Sequence, residues 1–406
     1  MSERAHISCL ANSAPGFSLV ELLTAMTLSL LLFAMTFSLV QQLDNTADVV
    51  SSTADVNQNV RAAINMVSRD LSTAGQNIPV GGIPLPYSGT ATAIKLPYPT
   101  TKTFPSPLSG NALYIPVLTA GNGNGPSQGS INTDVVTMIG VNQTSSFNPT
   151  TVTTTTPHQP TIASTAATIT VSTTAAAYVS PGQLIMLTNI NSSCLLAVSS
   201  VNTTTGVITF THGDTTNDFL GVNQFPTVSG TNGSITSGPT SGTILQLETA
   251  TVNGSNTTYA WPATLTAYPI AMITYYLDSS TPIKDLVKLT SMGTSGCAAV
   301  SCTNVIALGI NVFQVFYSLS PPATLNGVTS ATTDPTENPW PTATDNGNTP
   351  NHIVKVVLNM LGETNHKNFA NSQWYSREIK NAVTIQNLDY VNKYGTASSS
   401  TQMTQN

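Results

Sequence analysis

Between Phe17 and Val40 the chain runs for 24 residues with a single ionisable side chain, Glu21. At ~1.5 Å of rise per helical residue this apolar run is long enough to cross a bilayer. A secretory signal carries its charge ahead of the apolar core and a small-residue cleavage site behind it, whereas here the small residue, Gly16, comes first. Cleavage after Gly16 strips the polar leader and leaves the apolar helix on the processed chain.

The lone carboxylate needs a partner. An unpaired charge deep in hydrocarbon costs roughly 2.5 to 3.5 kcal/mol on insertion scales. Cleavage between Gly16 and Phe17 creates an α-amino group four positions before Glu21, about one helical turn away. The counter-ion is then the chain's own amine or that of a neighbouring subunit. The alternative is a carboxylate that snorkels to the membrane face without a partner. On the far flank Asp44, Asp48 and Asp55 precede the first basic residue, Arg61, which orients the leader to the cytoplasm and the remainder outside.

The segment Gly16-Phe17-Ser18-Leu19-Val20-Glu21, set ahead of a membrane-length helix, resembles the cleavage and methylation motif of type IV prepilins and of the pseudopilins of type II secretion. The resemblance implies cleavage between Gly16 and Phe17, N-methylation of Phe17, and a role for Glu21 in guiding incoming subunits into register by pairing with a neighbour's N-terminal amine. It also implies the partners: a prepilin peptidase, other major and minor pilins, an inner-membrane assembly platform, and membrane lipid before assembly. The leader departs from the family pattern, with Ala14-Pro15-Gly16 at the cut and only Arg4, offset by Glu3, upstream.

Charged residues make up 7% of the 406-residue chain, against roughly 25% in ordinary soluble domains, and the net charge is −6. Such a chain lacks the basic footprint of a nucleic-acid binder, so no nucleic-acid partner is expected. Cys9 falls in the leader. Cys297 and Cys302 enclose Ala-Ala-Val-Ser, a spacing compatible with a small disulfide-closed loop in an oxidising compartment. Cys194 is then a buried thiol or a competitor for one of that pair.

Apolar residues continue past the membrane-length run as Leu43, Ala47, Val50, Ala54, Val56, Val60, Ala63, Ile64, Val67 and Leu71. This three-and-four spacing predicts one amphipathic stripe and a helix over about 17–74, stopped by Gly75 and Pro79. An anchor followed by a separate helix, kinked near Asp44, is the alternative. From Ile78 onward Pro and Gly punctuate short runs that read as strands: 133–140, 167–171, 184–187, 195–198, 206–210, 272–277, 305–319, 352–360 and 382–385. Turns are predicted at Pro181-Gly182 and Asn202–Gly206.

The predicted fold class is α+β: a long N-terminal hydrophobic α-helix, a pilin-like stem, packed on an antiparallel β-sheet head with an inserted β-rich subdomain. The predicted divisions are a leader at 1–16, a transmembrane or filament-core half-helix at 17–44, an amphipathic half at 45–76, and an extracytoplasmic head at 77–406 with an insertion at 141–260. Within the class, Asn59-Val60-Arg61-Ala62-Ala63-Ile64, Arg69-Asp70-Leu71, Ala74-Gly75, Ile273-Thr274-Tyr275-Tyr276-Leu277 and Leu308–Tyr317 resemble PilW-like minor pilins.

No catalytic constellation is visible. His158, His212, His352 and His366 lie outside any metal or nucleophile motif, no phosphate-binding loop occurs, and neither a cofactor nor a metal is expected. Two acidic loops, Asp214–Asp218 and Asp345–Asn348, read as Asx turns rather than calcium sites, because neither supplies six to eight oxygens. Trp261, Trp340, Trp374 and Tyr375 form either an adhesive surface or loop anchors. The expectation is a structural subunit, a minor pilin contributing to pilus assembly, priming or the tip. A type II secretion pseudopilin and a tip adhesin that recognises a surface or glycan through the insertion are the alternatives.

Overall fold

The computed structural model describes residues 16, 18–79, 82–86, 94–101, 104, 114–121, 123–128, 131–141, 150–151, 166–188, 193–211, 213–223, 249–253, 256–260, 266–280, 284–291, 303–319, 324–325, 328–329, 353–364, 367 and 374–385. Helix α1 runs Leu19–Ser72, 54 residues or ~81 Å. No glycine or proline occurs in 17–74, so nothing interrupts the hydrogen-bond ladder, and the helix passes Asp44 as one element. It ends at Gly75, whose φ of 74° turns the chain, and whose N–H donates to the Ile139 carbonyl at 2.8 Å. The chain divides into two compact units, Met1–Asp55 with His366–Tyr375, and Val56–Asn365 with Ser376–Asn406, so that each half of α1 belongs to a different unit.

The single predicted stripe is in fact two. Val56, Val60, Ala63, Ile64, Val67 and Leu71 are buried, while Leu43 and Val50 are 60% and 63% exposed and Ala47 and Ala54 are also exposed. At about 100° per residue the group Leu43–Ala54 centres about 120° around the helix from the group Val56–Leu71. One face of a straight helix cannot cover a sheet with both, and the second unit uses the Val56–Leu71 face. The buried face of the helix therefore begins at Val56.

In the second unit, every strand pair among the described residues is antiparallel. The axis of its largest sheet is a 13-residue strand, Thr266–Asp278. Successive stretches of it pair with different partners: Thr266–Ile270 with Leu184–Thr188, Ile270–Tyr275 with Val136–Val141, and Met272–Asp278 with Asp285–Ser291. Thr303–Leu308 extends the sheet beyond Asp285–Ser291, and Ser193–Ala197 extends it beyond Leu184–Thr188. A second sheet has the order Ile310–Leu319, Ile353–Glu363, Ser376–Thr384.

The alternation over 305–319 predicts one strand there, but the chain forms two, in different sheets. They are separated by Gly309, whose φ of 72° is open to a residue without Cβ at no steric cost. Alternation beyond that point holds: Phe313, Val315 and Tyr317 are all buried, as are Val356, Leu358 and Met360.

Within the predicted insertion, Ala166–Thr170, Ser200–Asn202 and Val207–Thr211 make a three-stranded sheet. Its Ile169, Ile208 and Phe210 share one apolar cluster with Ile185, Leu187 and Leu196 of the neighbouring hairpin. The predicted turns fall between these strands.

The Val56–Ser72 part of α1 is fastened to both sheets. Gly362 lies directly under it: a Cβ at that position would overlap Val60 Cγ2 and stand 3.2 Å from Val56 Cγ1. Asn381 Nδ2 donates to Ser68 Oγ at 2.8 Å. Asp70 Oδ2 accepts from the Tyr275 hydroxyl at 2.7 Å and forms an ion pair with Lys288 Nζ. Burying five Val, Ile and Leu side chains on this face contributes on the order of 10 kcal/mol before conformational entropy is counted. Gly362→Val drives two methyl groups into that contact and is expected to cost about 1 to 3 kcal/mol. A lowered urea midpoint with an unchanged slope will report it.

Candidate functional site

The site singled out by the sequence is the start of α1. Gly16 is exposed and non-helical, Phe17 lies outside the described residues, and Ser18 is the last residue before the helix. Glu21 is engaged locally. Its Oε2 accepts from the Ser18 N–H at 3.2 Å and from the Ser18 hydroxyl at 3.3 Å, and the Glu21 N–H donates back to Ser18 Oγ at 3.2 Å. This is a capping box: two donors that a helix start leaves without intrahelical acceptors are satisfied reciprocally. The carboxylate also sits at the positive end of the helix dipole. Its sequence signal is Ser-x-x-Glu at 18–21, which the membrane and processing readings of the same residues pass over. Glu21 thus has a structural task that requires neither a neighbour's amine nor a water-facing head.

Past this box the helix offers apolar surface on every side. Each described residue from Ser18 to Asp48 is exposed, and the most hydropathic 18-residue window, of mean hydropathy 2.0, has none of its residues buried. The helix is therefore long and apolar enough to cross a membrane. Several hydroxyls within it are satisfied by the helix's own carbonyls. Thr24 Oγ1 donates to Glu21 O at 3.0 Å, Thr27 Oγ1 to Thr24 O at 2.8 Å, Ser29 Oγ to Ala25 O at 2.8 Å, and Thr36 Oγ1 to Leu32 O and Phe33 O at 3.0 Å each. Back-bonding of this kind lets Ser and Thr enter hydrocarbon without an orphaned donor.

Elsewhere the ionisable side chains serve the fold. Asp134, 7% exposed, accepts the Gly123 N–H at 2.7 Å and the Val315 N–H at 2.8 Å, while its own N–H donates to Phe313 O at 2.9 Å. One residue before strand Val135–Val141, it stitches the large sheet to the second one. Burial raises its pKa against the opposing pull of the two N–H groups. Tyr317 is pushed well above the ordinary phenol value by burial and by Asp134. Tyr275 is raised by burial and by its bond to Asp70.

The loop Asp214–Asp218 forms Asx turns, in line with the sequence. Asp214 Oδ1 accepts from the Thr216 and Asn217 N–H groups, Asp218 Oδ1 from Gly221 and Val222, and Asp218 Oδ2 from Asn223. Both carboxylates are committed to backbone donors, which leaves a cation little to bind. Among the described residues, no group of three His, Cys, Asp or Glu side chains could hold a metal ion. Cys194 is fully buried, its Sγ 3.8 Å from Leu195 O.

Cys297, Cys302, Asp345–Asn348, His158, His212, His352, His366, Trp261 and Trp340 lie outside the described residues. Trp374 is 46% exposed, with Lys367 Nζ 5.8 Å from its ring centre, and Tyr375 is half-buried.

Compared with protein-family models, with curated proteins and with solved structures, the chain matches none.

Asp134 gives a test of the sheet-to-sheet stitch. Its carboxyl holds a proton to higher pH in the folded chain than in the unfolded one. The associated stability is fully present below the unfolded value of 3.8 and is lost as pH rises through the raised folded value. Asp134→Asn removes that slope, and it leaves one of the two N–H donors without an acceptor at a cost of about 1 to 3 kcal/mol. Urea midpoints measured from pH 4 to 7 are expected to be lower in the variant. The gap between variant and parent should narrow as pH increases.

Proposed function

We propose that the chain is the precursor of a type IV pilin-like structural subunit, of the minor pilin kind, cleaved between Gly16 and Phe17 and N-methylated at Phe17. The observation that carries this reading is the start of α1: a lone acidic residue in the first turn of a helix that is apolar on all sides, directly behind a glycine in exposed, non-helical chain. A soluble protein has no use for the 22 residues of unburied apolar helix from Leu19 to Val40, and an ordinary export signal discards them. Retained, they require lipid or a bundle of like helices. The subunit is stored in the inner membrane with its leader cytoplasmic and its head outside, and it then moves into a filament where helix packing and a Glu21–amine pair replace lipid contacts. Its partners are the prepilin peptidase, other pilins and the assembly platform. Its contribution is to assembly, priming or the tip.

One feature favours the adhesin reading as a second possibility. The strands at 166–211 pack around one apolar cluster that is joined to the large sheet through Ala267 and the pairing of Leu184–Thr188 with Thr266–Ile270, so a binding surface there would be carried by the head and not by the stem helix. Deleting 141–260 is then expected to abolish attachment while leaving filaments intact.

Mass spectrometry of filament-associated protein tests the main reading. The expected N-terminus is a methylated Phe17, and retention of residues 1–16 in assembled material overturns the proposal. In cells, Glu21→Gln is expected to leave cleavage intact and to reduce incorporation into filaments at least about tenfold, since loss of a desolvated charge pair is worth more than one factor of ten. Immunoblots of sheared filaments against whole cells provide the measurement.

A further inference from the structure

The pairing proposed for Glu21 leaves open whose amine it takes, and the capping box bears on that choice. Before cleavage the chain has no cation at position 17. Leader removal is a hydrolysis in which the oxygen of water joins the Gly16 carbonyl as a carboxylate. The Phe17 nitrogen leaves as an amine, largely protonated at neutral pH. That nitrogen is separated from the Ser18 nitrogen only by Cα and the carbonyl carbon, a span of at most ~3.7 Å. Glu21 Oε2 stands 3.2 Å from the Ser18 nitrogen. Whatever the local torsions, a carboxylate held in the box therefore lies within ~7 Å of the new ammonium.

Two bonds hold the carboxylate there, one of them donated by the Ser18 hydroxyl, and the same hydroxyl accepts the Glu21 N–H. Among the described residues Glu21 has no ion-pair partner, and its surroundings on α1 are exposed apolar side chains.

We infer that Ser18 is a positioning residue for Glu21: it keeps the carboxylate on the chain's own first turn, beside the amine that leader removal creates, so that a processed subunit is self-neutralised until a second copy competes for the same carboxylate. This rests on the processing reading above and adds a step to it. The cap opposes association. A subunit stored in lipid carries an internally paired end, and assembly exchanges that internal pair for an intersubunit one.

Two substitutions separate the roles of the two residues. Glu21→Gln keeps the box, since Gln serves as its third-position partner, but has no charge to pair. Ser18→Ala keeps the charge and loses two of the box's hydrogen bonds. The full chain beginning at Phe17, released with a sequence-specific protease from a fusion, is placed in phosphatidylcholine vesicles. Self-association is then followed by energy transfer between donor- and acceptor-labelled copies across protein-to-lipid ratios.

Ser18→Ala is expected to associate at a ratio about two- to thirty-fold lower than the parent, the factor that the loss of an N-cap corresponds to. Ser18→Thr, which keeps a capping hydroxyl, is expected to behave as the parent. Glu21→Gln is expected to associate more weakly, and adding Ser18→Ala to it should restore nothing. In the leader-bearing chain, which has no ammonium at position 17, Ser18→Ala should change nothing.

If Ser18→Ala is no stronger than the parent, or strengthens the leader-bearing chain equally, the inference is overturned. If Glu21→Gln associates like the parent, the charge-pairing reading itself fails. Weaker Glu21→Gln combined with unchanged Ser18→Ala removes only the role given to Ser18.

Discussion

The head is organised around the burial of one helix face, Val56 to Leu71, and around the absence of a side chain at Gly362 that lets β-sheet backbone reach it. That contact joins local to long-range structure. A helix built from neighbouring residues becomes the common cover of two sheets, with side-chain partners in them 205 to 313 residues further along the chain. Its polar fastenings are few. Asp70 holds Tyr275 and Lys288, and Ser68 holds Asn381. In a chain with so few charges each pair carries information about register that a generic apolar face does not, because a helix rotated by one residue still buries methyl groups but no longer places Asp70 against Lys288. Asp134 plays the equivalent part between the sheets, substituting carboxylate oxygens for missing backbone acceptors.

The other end of α1 obeys different rules. Its described residues up to Asp48 are exposed and several of its hydroxyls bond to the helix itself, an arrangement compatible with a solvent that offers neither donors nor acceptors. The one charge is placed where a helix most needs an acceptor, at the third position of its first turn. The pairing between subunits proposed for Glu21 and the capping of its helix are compatible, because both would use a carboxylate aimed back towards the N-terminus.

How far the fold is legible varies with how local its causes are. The length of α1 follows from the lack of Gly and Pro over 17–74, and the buried alternation of Phe313, Val315 and Tyr317 follows from period two. The division of 305–319 into two strands does not, since Gly309 reads as one more glycine until its φ of 72° and the sheet on each side of it are known. The two stripes of α1 merge in a list of spacings because both obey three-and-four periodicity, and only the angle between them tells them apart. Tyr275 lies 205 residues from Asp70 and Val315 lies 181 residues from Asp134, beyond the reach of any pattern. At the candidate site the motif is legible residue by residue, and so in retrospect is the Ser-x-x-Glu box.

By itself the sequence determined a membrane-length apolar helix behind a glycine, one carboxylate at its head, and an antiparallel, weakly charged β-rich remainder, because these depend on composition and on periodicities a few residues long. Tertiary structure alone decided which face of the helix is covered, where the 305–319 run breaks, and which carboxylates serve as internal acceptors. Those outcomes depend on which distant backbone groups and side chains meet, and such meetings are set by packing the whole chain at once.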